Sequence, residues 1–142
     1  FSRSEMLDES VIRCRSAKRF EERYLRKGFD NQISVIRILD SRREEFRLSK
    51  AYAHKIDVIN VITAPEIEML LIHNEGAYER FKRSGKKPSE FCKIDLRMHD
   101  VKSYDFVKEY FRNPETLVKA IKEYRRTANI PNGEYTLLDI LK

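Results

Sequence analysis

No stretch of the sequence reaches the length of apolar residues needed to cross a bilayer, and its first residues hold neither an apolar signal core nor a small-residue cleavage site. A cytoplasmic protein is therefore expected, with no membrane among its partners. Cysteine is scarce. Cys14 and Cys92 lie too far apart to frame a zinc knuckle or a disulfide scaffold, so buried or half-buried free thiols are expected. Glycine is equally sparse. Gly28, Gly76, Gly85 and Gly133 build no glycine-rich phosphate loop and no dinucleotide fingerprint, which argues against nucleotide-cofactor chemistry. With only 4 Gly and 4 Pro against 41% hydrophobic and 37% charged residues, the composition excludes a disordered, collagenous or low-complexity chain. His54, His73 and His99 have no spacing that would gather them, and no serine or cysteine sits in a nucleophile elbow, so a hydrolase triad is unsupported.

What is present is a chain of 142 residues, the length of one domain, able to bury roughly two thirds of its unfolded surface. The net charge of +6 arises from 29 basic and 23 acidic side chains mixed along the chain. Such a balance favours a polyanionic partner only modestly, and where the charge clusters matters more.

Two apolar runs of strand character stand out, Ser34-Val35-Ile36-Arg37-Ile38-Leu39 and Val58-Ile59-Asn60-Val61-Ile62. Their β-branched content predicts strands over about 33–39 and 57–62, with a helix over about 43–55 between them. Strand, helix and strand over about 30 residues form a βαβ unit, which joins a parallel pair through a right-handed crossover. The fold class is therefore α/β, a small parallel sheet flanked by helices with a helical carboxy-terminal part. An amphipathic helix, or two, is expected from Ser4 to Lys27, ended by Gly28. Pro65 suits the first turn of a helix running toward Ser84, and Ser84-Gly85-Lys86-Lys87-Pro88-Ser89 reads as a loop. Residues 91–98 alternate in part and are compatible with an edge strand or a short helix. Further helices are expected from Ser103 and from Pro114 to Arg126, the latter capped by Asn113, and a short final helix over 136–141.

Both apolar runs end in acidic residues, Asp40 after the first and Glu66 and Glu68 after the second. In an open parallel sheet, ligands gather outside the carboxyl ends of the strands, so these acids face one edge. Carboxylates so placed can hold Mg²⁺, which prefers oxygen ligands and keeps several waters. Such an ion could polarise a phosphodiester while Arg42, Arg43 or Lys102 stabilised the charge that develops in the transition state. Structural roles compete strongly for these residues. Asp40 can begin a turn, Glu66 suits the positive end of a helix, and Glu68, set among Ile67, Met69, Leu70 and Leu71, is either paired with a base or directed into a cleft.

Three basic regions could meet phosphate: the first helix with Arg13, Arg15, Lys18, Arg19, Arg23, Arg26 and Lys27; Arg42, Arg43 and Arg47; and Arg80, Lys82, Arg83, Lys86 and Lys87. Solvated helix faces have the same composition. The seven Tyr and eight Phe fall mostly on apolar helix faces, where core packing outweighs base stacking.

The order strand, Asp40, helix, strand, then Ala64-Pro65-Glu66-Ile67-Glu68-Met69-Leu70-Leu71-Ile72 resembles the Toprim-like fold, in particular the RloB-like branch found among bacterial phage-defence proteins. There, a strand ending in Asp is followed, after a helix and another strand, by an Asn-Pro-x-Phe-Glu-like motif entering an apolar helix. Pro65 and Glu68 match it, Ala64 and Ile67 depart from it, and the resemblance covers about residues 33–75. It implies Mg²⁺-dependent cleavage or rearrangement of phosphodiesters, with Asp40, Glu66 and Glu68 as catalytic and metal-holding residues. It also implies a second acid two positions after Asp40, where this chain has Arg42, with Glu44 and Glu45 as the nearest substitutes. The family pattern further places a glutamate on a strand ahead of the first helix. Here the first helix is expected to start almost at Phe1, so residues 1–142 read as a single α/β domain without that strand.

Two functions are thus expected to compete. One is a Mg²⁺-assisted nuclease acting on DNA or RNA, with Arg42, Arg43, Arg83, Lys86, Lys87 and Lys102 near nucleic acid. The other is a non-catalytic α/β module of a defence or regulatory system that binds nucleic acid, a protein partner or a second copy through its basic helix surfaces.

Overall fold

The two apolar runs pair as a two-stranded parallel sheet, β1 (Ser34–Leu39) beside β2 (Asp57–Ile62). The protein is α/β, as its sequence predicts. The structure, a computed structural model, describes residue 6 and residues 11–141, except for the side chain of Glu66. Among the described residues no helix is long and apolar enough to cross a membrane. The described residues divide into two compact units, one taking in those up to Arg37 with Arg43–Ile59, the other Ile38–Arg42 with Asn60–Leu141.

In the first unit, α1 (Ala17–Phe20) runs into a π-helical turn, Glu21–Leu25. The Ser16 hydroxyl caps α1 by accepting from the Arg19 backbone N–H at 3.3 Å. The helix expected from Ser4 is shorter within the described residues, since 11–16 are irregular; residues 4, 5 and 7–10 lie outside the described chain. Phe20, Leu25 and Ile56 form the core of this unit, with Val35, Phe46, Leu48 and Tyr52 packed around them.

The helix predicted over 43–55 is confined to one turn, α2 (Lys50–Ala53). The reason lies in Arg37, a buried base on β1. It pairs with Glu44 at 3.5 Å, and its Nη1 donates to the Glu44 carbonyl at 3.5 Å, a group that a helix would have given to Leu48. Its guanidinium also lies 4.6 Å from the centroid of the Phe46 ring, which packs edge-on against Phe20. Satisfying a buried charge and seating an aromatic ring outweigh the weak helical preference of the intervening residues.

The second unit is helical around α3 (Glu66–Asn74), where Met69, Leu70, Leu71 and Ile72 are all buried. A helix apolar on most sides belongs at the centre of its unit, and each of the fully buried Leu and Ile side chains contributes about 1.5–3 kcal/mol by leaving water. The single helix expected from Pro65 to Ser84 is instead two, α3 and α4 (Tyr78–Ser84). They break at Gly76, whose φ of 62° few other residues adopt without strain. Gly85, in the left-handed conformation, ends α4.

The first half of the ambiguous segment 91–98 resolves as helix, the end of α5 (Pro88–Ile94), with Phe91 and Cys92 buried against α3, and 95–98 are turn and irregular. Pro88 opens that helix, which is why its alternation did not become a strand. Then come α6 (Tyr104–Tyr110) and α7 (Pro114–Thr127), capped by Ser103 accepting from the Phe106 N–H at 3.2 Å and Asn113 accepting from the Glu115 N–H at 2.9 Å. The amphipathic stripe of α7 packs on α3 through Ala120, Ile121 and Tyr124. A 3₁₀ turn, Leu137–Ile140, closes the unit with a capping box between Thr136 and Asp139.

Candidate functional site

The carboxyl ends of the strands are locked together by one carbonyl. Leu39 O accepts from the Thr63 backbone N–H at 2.7 Å and from the Thr63 hydroxyl at 2.9 Å. On its other side β2 is held by Ile62 N–H donating to Tyr135 O at 2.9 Å, next to a parallel bridge from Val61 to Tyr135. The residue after Leu39 is Asp40, exposed at the strand end, and the residues after Thr63 are Ala64, Pro65 and Glu66, which open α3. Asp40 and the start of α3 thus belong to one strand-end edge of one unit.

Glu68, in the first turn of α3, is 2% exposed. Its Oε1 lies 3.2 Å from Lys102 Nζ, while Oε2 has no hydrogen-bond partner. Of the two alternatives open in the sequence, the pairing with a base is the one present. Lys102, expected near phosphate, is that base, and its own side chain is 66% exposed. The Cys92 thiol donates to the Glu68 carbonyl at 3.6 Å, and burial, then the Glu68 charge, pushes its pKa up to about 11. Such a thiol is inert rather than nucleophilic.

The remaining basic candidates fare differently. Arg42 Nε meets Glu134 at 2.6 Å, and that hydrogen bond raises its pKa. Lys86, read from the sequence as part of a loop, is held to Asp95 at 2.5 Å, with both side chains partly buried. Arg83 and Lys87 are exposed in the same unit, and Arg43 is exposed in the other. Glu134 and Thr63 were not singled out in the sequence. Glu134 lies 92 residues from Arg42 and no local pattern connects them, whereas a β-branched hydroxyl residue closing a strand was the available signal for Thr63.

The test for Mg²⁺ is the donor set. Carboxylate oxygens are the right type, and the buried Oε2 of Glu68 has no hydrogen-bond partner. Among the described residues, however, no group of three or more His, Cys, Asp or Glu could hold a metal ion. The described residues alone therefore do not supply a metal-holding group, and Glu66, whose side chain lies outside them, is the remaining acid of the expected set.

Two further polar clusters are structural. Tyr110 donates to Glu75 and accepts from Asn74 at 2.9 Å, with its pKa pushed up to about 12 by burial and then by the Glu75 hydrogen bond. His73 is stacked on Tyr78 with ring centroids 4.5 Å apart, and its Nε2 lies 2.9 Å from the Thr127 hydroxyl.

Set against known families, curated proteins and solved structures, the chain matches none of them.

Proposed function

We propose that this chain is a nucleic-acid-acting protein of Toprim-like architecture, and that its reaction is Mg²⁺-dependent cleavage of a phosphodiester. The observation that carries the reading is the double hydrogen bond from Thr63 to the Leu39 carbonyl, which brings Asp40 and the Pro65–Glu68 turn to one strand-end edge. Asp40 and Glu66 would hold the ion, with Glu68 supplying its unbonded oxygen. When bound, Mg²⁺ would polarise the phosphoryl oxygen and lower the pKa of a coordinated water. Lys102, mostly exposed beyond the carboxylate it pairs with, would neutralise charge on the incoming phosphate, as would Arg83 and Lys87 farther along the unit. Arg42, already bound to Glu134, would orient the turn after β1.

Calorimetric titration of Mg²⁺ and Mn²⁺ into the protein, beside Asp40→Ala and Glu66→Ala, tests this. Specific binding abolished by either substitution is expected. Unchanged affinity in Asp40→Ala overturns the metal site.

A second reading, a non-catalytic nucleic-acid-binding module, is favoured by the ion pair that already occupies Glu68 Oε1. It predicts salt-sensitive binding without turnover, and an affinity that ignores salt would remove it.

A further inference from the structure

Two short helices of the second unit are joined by three residues, Gly85-Lys86-Lys87, between the end of α4 at Ser84 and the start of α5 at Pro88. The turn is held by backbone and side chains together. Gly85 takes the left-handed conformation with φ 65°, the Ser84 hydroxyl donates to the Phe81 carbonyl at 2.6 Å and accepts from the Lys86 N–H at 3.2 Å, and Lys86 Nζ is pinned to Asp95 at 2.5 Å. Between the helices the Phe81 and Phe91 rings meet edge-on at 5.4 Å, and both helices pack on α3. Two helices joined by a three-residue turn that contains glycine have the connection of a helix-turn-helix, the motif that seats its second helix in the major groove of a duplex.

Positive charge gathers at the same turn. Residues 80–87 hold five bases and no acid. Lys86 is spent on Asp95, and Lys82 stands 3.9 Å from Glu79 and 5.6 Å from the centroid of the Tyr78 ring. Arg83 and Lys87, one on each side of Gly85 in the chain, are exposed and have no ion pair among the described residues. Because α5 buries Phe91 and Cys92, its outer face carries Ser89, Glu90, Lys93 and Ile94, all exposed, with 89 and 93, and 90 and 94, at the i, i+4 spacing of one face. Ile94 is thus an apolar side chain left in water, 55% exposed, on a polar face.

From this arrangement we infer that α4 and α5 bind double-stranded DNA, with Arg83 and Lys87 on the phosphates and the outer face of α5 in the major groove. That groove is about 12 Å wide and admits one helix, and its base edges match the four side chains. Lysine meets guanine O6 and N7, glutamate accepts from the cytosine amine, serine serves as donor or acceptor, and an apolar side chain packs on the thymine methyl. Ile94 therefore has on a base edge the apolar contact that it lacks in water. A turn already fixed by Gly85, Ser84 and the Lys86–Asp95 pair loses little freedom on docking, which suits a stiff duplex. The inference rests on the nucleic-acid reading; it names the duplex as the substrate class and places the contact on residues outside the strand-end edge.

The test is fluorescence anisotropy of a labelled 20-base-pair DNA duplex, and of one of its strands alone, over a series of KCl concentrations. Wild type is compared with the double variant Arg83→Gln, Lys87→Gln and with a control of equal charge loss on α7, Lys119→Gln, Lys122→Gln. All four side chains are exposed, so the fold is expected to survive. Wild type is expected to bind the duplex more tightly than the single strand and to protect guanine N7 from dimethyl sulfate. Each phosphate contact on B-DNA contributes roughly 0.9 to the slope of log K against log salt, so the first variant is expected to lower it by about 1.8 and the control to leave it unchanged. An unchanged slope in the Arg83 and Lys87 variant, an equal fall in both variants, a preference for the single strand, or unprotected N7 overturns the α4–α5 surface while leaving the nucleic-acid reading standing. Failure of the wild type to bind either form at low salt overturns both.

Discussion

Lys102 reaches Glu68 from solvent: its amine stands 3.2 Å from a carboxylate that is itself almost wholly buried. The two partners are unequal in cost. Glu68 has lost nearly all of its hydration, and Lys102 has lost little. The pair therefore serves chiefly to make a buried charge tolerable in the first turn of α3.

Removing the base should expose that asymmetry. Lys102→Met leaves Glu68 buried and uncompensated, and is expected to destabilise the protein by about 3 kcal/mol, the low end for broken buried pairs because water reaches the lysine side. Adding Glu68→Met to the same chain should recover most of the loss. Urea denaturation of the two variants checks this, and a double variant less stable than the single would contradict it.

Acid should weaken the second unit through His73. Burial is the main cause that holds its pKa below the ordinary 6.5, with Glu123 opposing and Arg126 reinforcing. A group lowered in this way stays neutral in the folded state while the unfolded chain takes up protons. Its contribution is full above pH 6.5 and is lost as the pH falls below that value. Thermal denaturation from pH 7 to 5 should show a declining Tm, and His73→Gln, which keeps a polar partner near Thr127, should flatten the decline.

Thiol chemistry should separate the cysteines cleanly. Cys92 is buried with its pKa near 11, whereas Cys14 is half-exposed. At pH 8, iodoacetamide should modify Cys14 alone in the folded protein and Cys92 only after denaturation. Equal rates would mean that Cys92 is not buried between α5 and α3 as described.

The hub of the second unit should be costly to empty. Phe91 is fully buried, with the Phe81 ring edge-on at 5.4 Å and Arg80 over its face. Phe91→Ala is expected to cost about 3–5 kcal/mol, measured by chemical denaturation. A loss below 1 kcal/mol would contradict its place in the core.

The strands, the caps at Ser103 and Asn113 and the apolar face of α7 could be read from the sequence because each is a local signal: β-branched runs, a hydroxyl or amide before a helix, an apolar repeat. What could not be read was set by distant partners. Nothing near Glu44 reveals that Arg37 will be buried and take its carbonyl, so a helix was expected where the chain is irregular. Gly76 sits inside a continuous helical pattern, and a single glycine there can be tolerated or can break the helix. At the candidate site, Asp40 and Glu68 were identifiable as acids after strands, but Lys102 as the partner of Glu68, and Glu134 as that of Arg42, depend on the folded chain.

The central claim, phosphodiester cleavage at the strand-end acids, is tested most directly by a nuclease assay on single-stranded and duplex DNA and RNA, with and without Mg²⁺, for wild type and Asp40→Ala. The account predicts cleavage of at least one substrate that needs the cation and falls at least a hundredfold in the variant. Cleavage that survives Asp40→Ala undiminished, or no cleavage of any substrate by a protein that binds them, would contradict it.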